Sequence, residues 1–154
     1  MNILIAMDES ENALRAVEYL AKYFTSDHRV TLFHVMVDSQ AICNLSSPEL
    51  TPYFLAQQAG LCTLDDKKKE LVQKALEQAR DVLVKACFLE KNITLKIQSR
   101  KKGISKDIAE EAQQGYDTLI MGRRGLSGIE EFFLGGVSHK VLSLAKSISV
   151  ILVR

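Results

Sequence analysis

Five short apolar runs constrain this chain more than any other feature: NILIA (2–6), VTLFHV (30–35), ITLKIQ (93–98), TLIM (118–121) and VILV (150–153). Between them, apolar residues recur at three- and four-residue steps, the period of an amphipathic helix. Ala13, Leu14, Val17, Leu20, Ala21 and Phe24 mark the first such stretch. Val72, Ala75, Leu76, Ala79, Val82, Leu83 and Ala86 mark the second, read as a helix over 64–90. Ile108, Ala109 and Ala112 mark the third, and Val137, Val141, Leu142 and Ala145 the fourth. Apolar strands alternating with amphipathic helices imply a parallel sheet covered on both faces. Right-handed crossovers then favour a doubly wound α/β fold with five parallel strands, and the order taken is 3-2-1-4-5. The 154 residues suffice for a single domain spanning 1–154.

Local signals punctuate this plan. Ser10 is placed to cap the first helix and Ser105 the third, while Gly115 suits a C-terminal stop. The segment 37–62 holds both prolines, two cysteines and several serines without clear periodicity, and reads as a long loop with room for a short helix. Lys67, Lys68 and Lys69 read as a solvated face. A net charge of +1 gives no general attraction to nucleic acid or to anionic membrane. The opening MNILIAMDES lacks a basic n-region, and no apolar run approaches a membrane span, so a cytoplasmic protein is expected. Cys43, Cys62 and Cys87 are odd in number and show no CxxC, so neither a disulfide framework nor a zinc site is indicated. A redox role for Cys43 and Cys62 is the minor reading, and Cys87 is expected in the core.

In open parallel sheets, ligands sit beyond the C-terminal strand ends, where the winding reverses. With the order 3-2-1-4-5, that crevice lies between strand 1, followed by Asp8, and strand 4, followed by GRRGLSGIEEFFLGGVSHK (122–140). This segment holds five of the eight glycines, which argues for close approach of backbone to a ligand. There is no GxxxxGK[ST], and MDESEN after strand 1 lacks the glycines of the dinucleotide fingerprint. What remains is Gly122-x2-Gly125-x9-Gly135-Gly136. Gly122 and Gly125 can take positive φ and expose amides. Ser127 and Glu130 form a capping pattern for a short turn through Phe132. Gly135 and Gly136 open the last helix, whose free N–H groups make an anion site. Arg100, Lys101, Lys102, Lys106, Arg123 and Arg124 are candidates for a basic rim. His34 is read as packed or hydrogen-bonded rather than catalytic.

ILIAMDESENALRAVEYL, VTLFHV and DTLIMGRRG, together with the glycine spacing, resemble the universal stress protein family over essentially the whole chain. The resemblance implies that family's Rossmann-like fold, of the adenine nucleotide alpha hydrolase type. It also implies its ATP-binding branch, marked by G-x2-G-x9-G-[ST], from which this chain departs by having Gly136 at the last position. By that likeness Ala6, Asp8 and Val35 would line the adenine and ribose side. Met121, Gly122, Arg124 and Gly125 would approach ribose and phosphates, and Gly135, Gly136, Val137 and Ser138 would cradle the phosphates. The implied ligand is ATP, or AMP or ADP, with Mg²⁺ or Mn²⁺ arriving with the phosphates rather than held by side chains. The implied protein is a stress-response regulatory module and a homodimer through strand 149–153. No nucleophile–base pair stands out, so any hydrolysis would be slow. The alternative is a dimeric interaction protein of the same fold that binds no nucleotide.

Overall fold

The computed structural model describes residues 1–37, 43–44, 51–123 and 135–154. Its strands are β1 (Asn2–Ala6), β2 (Arg29–Met36), β3 (Ile93–Ser99), β4 (Thr118–Gly122) and β5 (Ser149–Val153). Its helices are α1 (Glu11–Tyr23), α2 (Pro52–Lys85), α3 (Ile104–Ala112) and α4 (Gly136–Leu144). All sheet pairings are parallel, in the order β3-β2-β1-β4-β5, as expected from the alternation of elements. Arg124 and Gly125, with the turn expected from Ser127 to Phe132, lie outside the described residues.

The period-two alternation of each strand sends its side chains to two separate cores. Ile3, Ile5, Val30, Leu32 and Ile120 face α1 and the second half of α2, meeting Val17, Leu20, Val72, Leu76 and Leu83. Leu4, Ala6, Phe33, Val35, Leu119 and Met121 face α3 and α4, meeting Ile108, Ala112 and Val141. Helices thus cover both faces, and only the strand ends and sheet edges remain to be approached. No described helix is long and apolar enough to cross a membrane.

Helix ends show where local chemistry overrode or matched the sequence reading. Ser10 caps α1 as expected, its Oγ accepting the Ala13 N–H at 3.2 Å. The cap of α3 is Gly103, at φ +117°, and not Ser105, which lies inside the helix. Asp107 takes over the role assigned to Ser105. Its buried carboxylate accepts the N–H of Lys101 at 2.8 Å and of Lys102 at 2.9 Å, drawing the β3–α3 turn onto the helix. Cys87 is exposed, not core: it follows α2 in the left-handed region at φ +67°, which turns its side chain away from the helix's apolar face.

Asp107 carries a pH prediction. Burial pushes its carboxyl up, but the N–H groups of Lys101, Lys102 and Gly103 together outweigh this and hold it below the usual value. A carboxyl lowered in the fold stabilises it above the unfolded-state pKa of about 3.9, and that stabilisation is lost as pH falls through the folded value. Asp107→Asn is expected to destabilise by about 1–3 kcal/mol at pH 7, since it weakens the charge-assisted bonds that a buried carboxylate accepts from the Lys101 and Lys102 N–H groups. The gap between variant and parent in chemical denaturation should narrow below about pH 4; a constant gap would refute the assignment.

The largest departure from expectation is α2. It begins at Pro52, well before Leu64, with Thr51 as N-cap accepting the Phe54 N–H at 3.2 Å. Its 34 residues span about 51 Å, far longer than the strands it covers. No residue from Pro52 to Leu71 is fully buried; the buried stripe starts at Val72. A second correction concerns the cysteines: Cys43 and Cys62 form a disulfide across a separation of 19 residues. The odd count hid this pair, because Cys87 is the one left over among the three.

Candidate functional site

A cavity of about 320 Å³ opens beyond the C-terminal ends of β1, β2 and β4, at the reversal of winding. A larger polar cleft, about 680 Å³, lies at the opposite pole among Asn2, Arg29, Thr31, Lys91, Gln114 and Tyr116. Those residues cluster around the N-terminal strand ends, where this architecture does not place its ligands. The smaller cavity is also the one whose lining combines apolar walls with a helix N-terminus.

Its walls follow from the strand geometry. Ala6 and Met121 are neighbours in register on β1 and β4, and Val35 stands near the end of β2. These three side chains face the α3–α4 side, where Ile104 and Ile108 complete an apolar wall. The start of α4 supplies the polar side through Gly135, Gly136, Val137 and Ser138. Nine of the sequence-predicted residues therefore line one cavity: Ala6, Asp8, Val35, Met121, Gly122, Gly135, Gly136, Val137 and Ser138.

The hydrogen bonds refine what each can do. The Gly135 N–H is already donated to Arg123 O at 3.1 Å, so this amide belongs to the fold and not to a ligand. The His139 N–H closes the first turn on Gly135 O at 3.0 Å. That leaves the amides of Gly136, Val137 and Ser138 without intrahelical acceptors, as at any helix start. No side chain caps α4, and its first residues line the cavity, so its positive end borders that space uncapped. Ser138 is buried and donates its hydroxyl to Gly122 O at 3.0 Å, tying α4 to the end of β4. Its one O–H is thereby used, and only its backbone amide remains to meet an anion.

Gly122 also has a reason different from the one the sequence suggested. Its φ is not in the left-handed region; instead, a Cβ there would lie 2.9 Å from the backbone carbon and oxygen of Asn12. The glycine lets β4 touch the first turn of α1. Gly136 is the opposite case, with no atom within 4 Å of where a Cβ would stand.

Asp8 has a divided role. Its Oδ1 accepts the Ser10 N–H at 3.0 Å and the Ser10 hydroxyl, which builds the turn into α1. Its carboxylate also borders the cavity beside Glu9. Among the lining residues not singled out from the sequence as ligand contacts, three carry ionisable side chains: Glu9, His34 and Lys68. His34 is buried and its Nδ1 lies 3.0 Å from Met7 O, which fixes that ring nitrogen as the N–H donor. Burial lowers its pKa, with Lys68 acting in the same direction, against the opposing pull of Glu9, the Met7 carbonyl and Asp8. The ring is therefore neutral at pH 7. Lys68 reaches Val37 O at 3.4 Å across the cavity rim. It shares a helix face with Val72 one turn later, a four-residue spacing that could have marked it in the sequence. Of the expected basic rim, Lys102 is engaged with Glu110 at 2.6 Å, and none of its described members lines the cavity. Among the described residues, no group of three His, Cys, Asp or Glu side chains could hold a metal ion.

Comparison with known proteins agrees with this architecture. The profile of the Universal stress protein family matches residues 1–154. Universal stress protein YxiE of Bacillus subtilis (strain 168) is 28% identical over 144 residues, covering 93% of this chain and 92% of that protein. Universal stress protein UspA from Lactobacillus plantarum superposes with a TM-score of 0.73 at 22% identity, covering 100% of this chain and 97% of that one. A universal stress protein in complex with cAMP superposes at 0.63 and 18% identity, covering 100% and 96%. A family member from Arabidopsis thaliana with AMP bound superposes at 0.57 and 17% identity, covering 99% and 90%.

Proposed function

Because the chain belongs to the universal stress protein family, we propose that the cavity beyond β1, β2 and β4 binds an adenine nucleotide, ATP or its di- or monophosphate. The protein then acts as a nucleotide-dependent regulatory module. One observation carries this reading: the uncapped start of α4 and an apolar wall share a single cavity. A nucleotide needs both. Its phosphates suit the amides of Gly136, Val137 and Ser138. Its base suits the apolar surface of Val35, Ile104, Ile108 and Met121. Asp8, whose Oδ1 builds the Ser10 turn, would accept ribose hydroxyls through its other oxygen. The cAMP and AMP complexes of the two structural relatives support the same ligand class. A helix terminus contributes only about 0.3–1 kcal/mol toward a nearby charge, whereas micromolar binding needs roughly 8 kcal/mol. The 124–134 segment, with Gly125 at the family spacing, is proposed to supply further amides. Mg²⁺ or Mn²⁺ would accompany the phosphates, and hydrolysis is not part of the proposal.

The test is direct. Acid-denatured protein should release adenine nucleotide on chromatography, and calorimetry with ATP and Mg²⁺ should show saturable heat. Absence of both, up to millimolar ATP, would end this reading. Gly125→Val is expected to abolish ATP binding while thermal unfolding stays unchanged, since the change is aimed at the ligand backbone contact.

A second reading has its own observation. With Gly135 N–H and Ser138 O–H engaged internally, and a glycine with no hydroxyl at 136, the described start of α4 is left with backbone amides alone to offer an anion. A dimeric interaction protein that binds no nucleotide would fit this. In both readings β5 is proposed as the dimer strand. It is an edge strand whose Val150, Ile151 and Leu152 stay half-buried, and pairing with a second copy would cover them. Sedimentation of the purified protein decides between monomer and dimer.

A further inference from the structure

We propose that Cys43–Cys62 is a reducible site whose thiol–disulfide state sets the Val37–Lys68 side of the cavity. Two observations carry it. The first is placement. The disulfide joins the segment after β2 to α2, and Val37 and Lys68, which line the cavity, belong to the two elements so joined. The Lys68 ammonium bonds Val37 O at 3.4 Å, and Gln58 Nε2 bonds Cys43 O at 3.4 Å, so the crosslink is flanked by weaker ties. The second is the state of α2 itself. From Pro52 to Leu71 it buries no side chain fully, whereas its second half is held by Val72, Leu76, Ala79 and Leu83. Little apolar burial opposes fraying of that first half, which makes the covalent tie the strongest link fixing its position.

The chemistry requires a dithiol reductant. Both cysteines are half-buried, not enclosed in the core. The reductant's thiolate attacks one sulfur and forms a mixed disulfide, and the other cysteine leaves as a thiolate that takes up a proton. The second thiol of the reductant then displaces the first cysteine. Two electrons and two protons pass to the protein pair, and the reductant becomes the disulfide. Cys87 takes no part, because it is exposed beyond the far end of α2.

The consequence for the ligand rests on the nucleotide reading; the consequence for α2 does not. Reduction leaves Val37 and Lys68 to be ordered by the ligand, and is expected to weaken ATP binding about tenfold. It should also raise amide exchange across residues 52–68. The experiment compares the full chain as purified with the same protein after dithiothreitol, by native thiol counting, hydrogen exchange and ATP calorimetry. The expected thiol count rises from one to three. A double variant, Cys43→Ser with Cys62→Ser, should match the reduced protein and ignore dithiothreitol. If the pair resists reduction in the native protein, or exchange over 52–68 is the same in both states, the proposal is overturned. If exchange differs and both states bind ATP equally, the coupling to the cavity is overturned and the nucleotide reading stands. If exchange differs and neither state binds ATP, the nucleotide reading falls, and with it the ligand coupling, while the reducible tie stands.

Discussion

Gly122→Ala is expected to lower the thermal unfolding temperature by roughly 2–12 °C. The figure follows from an overpacking penalty of about 1–3 kcal/mol and a shift of about 2–4 °C per kcal/mol for a domain of this size. Its cause is contact, not conformation. A Cβ at Gly122 would stand 2.9 Å from both the carbon and the oxygen of the Asn12 peptide and 3.0 Å from the Asn12 Cβ. Two of these are backbone atoms in the first turn of α1, a helix held on its other side by Ala13, Ala16 and Val17 in the core. Neither partner can rotate away as a side-chain end could. Relief requires β4 and α1 to separate, which opens the cavity floor between Ala6 and Met121. Gly136→Ala is the control: its Cβ meets nothing within 4 Å, and alanine is the better helix former. It should melt at or slightly above the parent temperature. Circular dichroism melts of the three proteins settle the point, and an unchanged melt for Gly122→Ala would remove the close approach from the account.

The same glycine shows what the sequence conveys and what it withholds. Spacing marked Gly122 as special, yet the reason lies in Asn12, a residue 110 positions earlier that only the fold brings near. The alternation of strands and helices was legible because most strands are near-continuous apolar runs and the helices carry an apolar face, whereas the order 3-2-1-4-5 was assumed from the preference for right-handed crossovers and is the order found. The first half of α2 was not legible for the converse reason. With no buried face it has no apolar period to detect, and only the Thr51–Pro52 start signal announced it. The Cys43–Cys62 pair depends on a distance in space that no spacing rule supplies. Lys68 was lost among three adjacent lysines, of which helix phase alone selects the one on the Val72 side. The cavity was foreseen in outline because glycines and strand ends are local features. Which amides remain free, after Arg123 O claims Gly135, is a property of the assembled hydrogen bonds.

Gly136→Asp is expected to separate stability from ligand binding. Position 136 is the first residue of α4, behind the Gly135 cap, with open space where a side chain would grow. A carboxylate at a helix start interacts favourably with the dipole by about 0.3–1 kcal/mol, and replacing glycine adds backbone order. The folded protein should therefore melt no lower than its parent. A nucleotide whose phosphates occupy the same helix start meets the opposite situation. At about 4 Å and an effective dielectric near 20, each unit of like charge repels by about 4 kcal/mol. Even half of that, after ionic screening, reduces affinity by about thirtyfold. Gly136→Ser, which adds a hydroxyl at the start of α4, should act in the other sense and strengthen ATP binding about twofold to tenfold, the net worth of one hydrogen bond. Calorimetry with ATP and Mg²⁺ and melting curves on the same preparations provide both readouts. If Gly136→Asp binds ATP within twofold of the parent, the phosphates do not sit at α4. The three amides of Gly136, Val137 and Ser138 would then be hydrated, and the case for the cavity as a nucleotide site would lose the observation on which it rests.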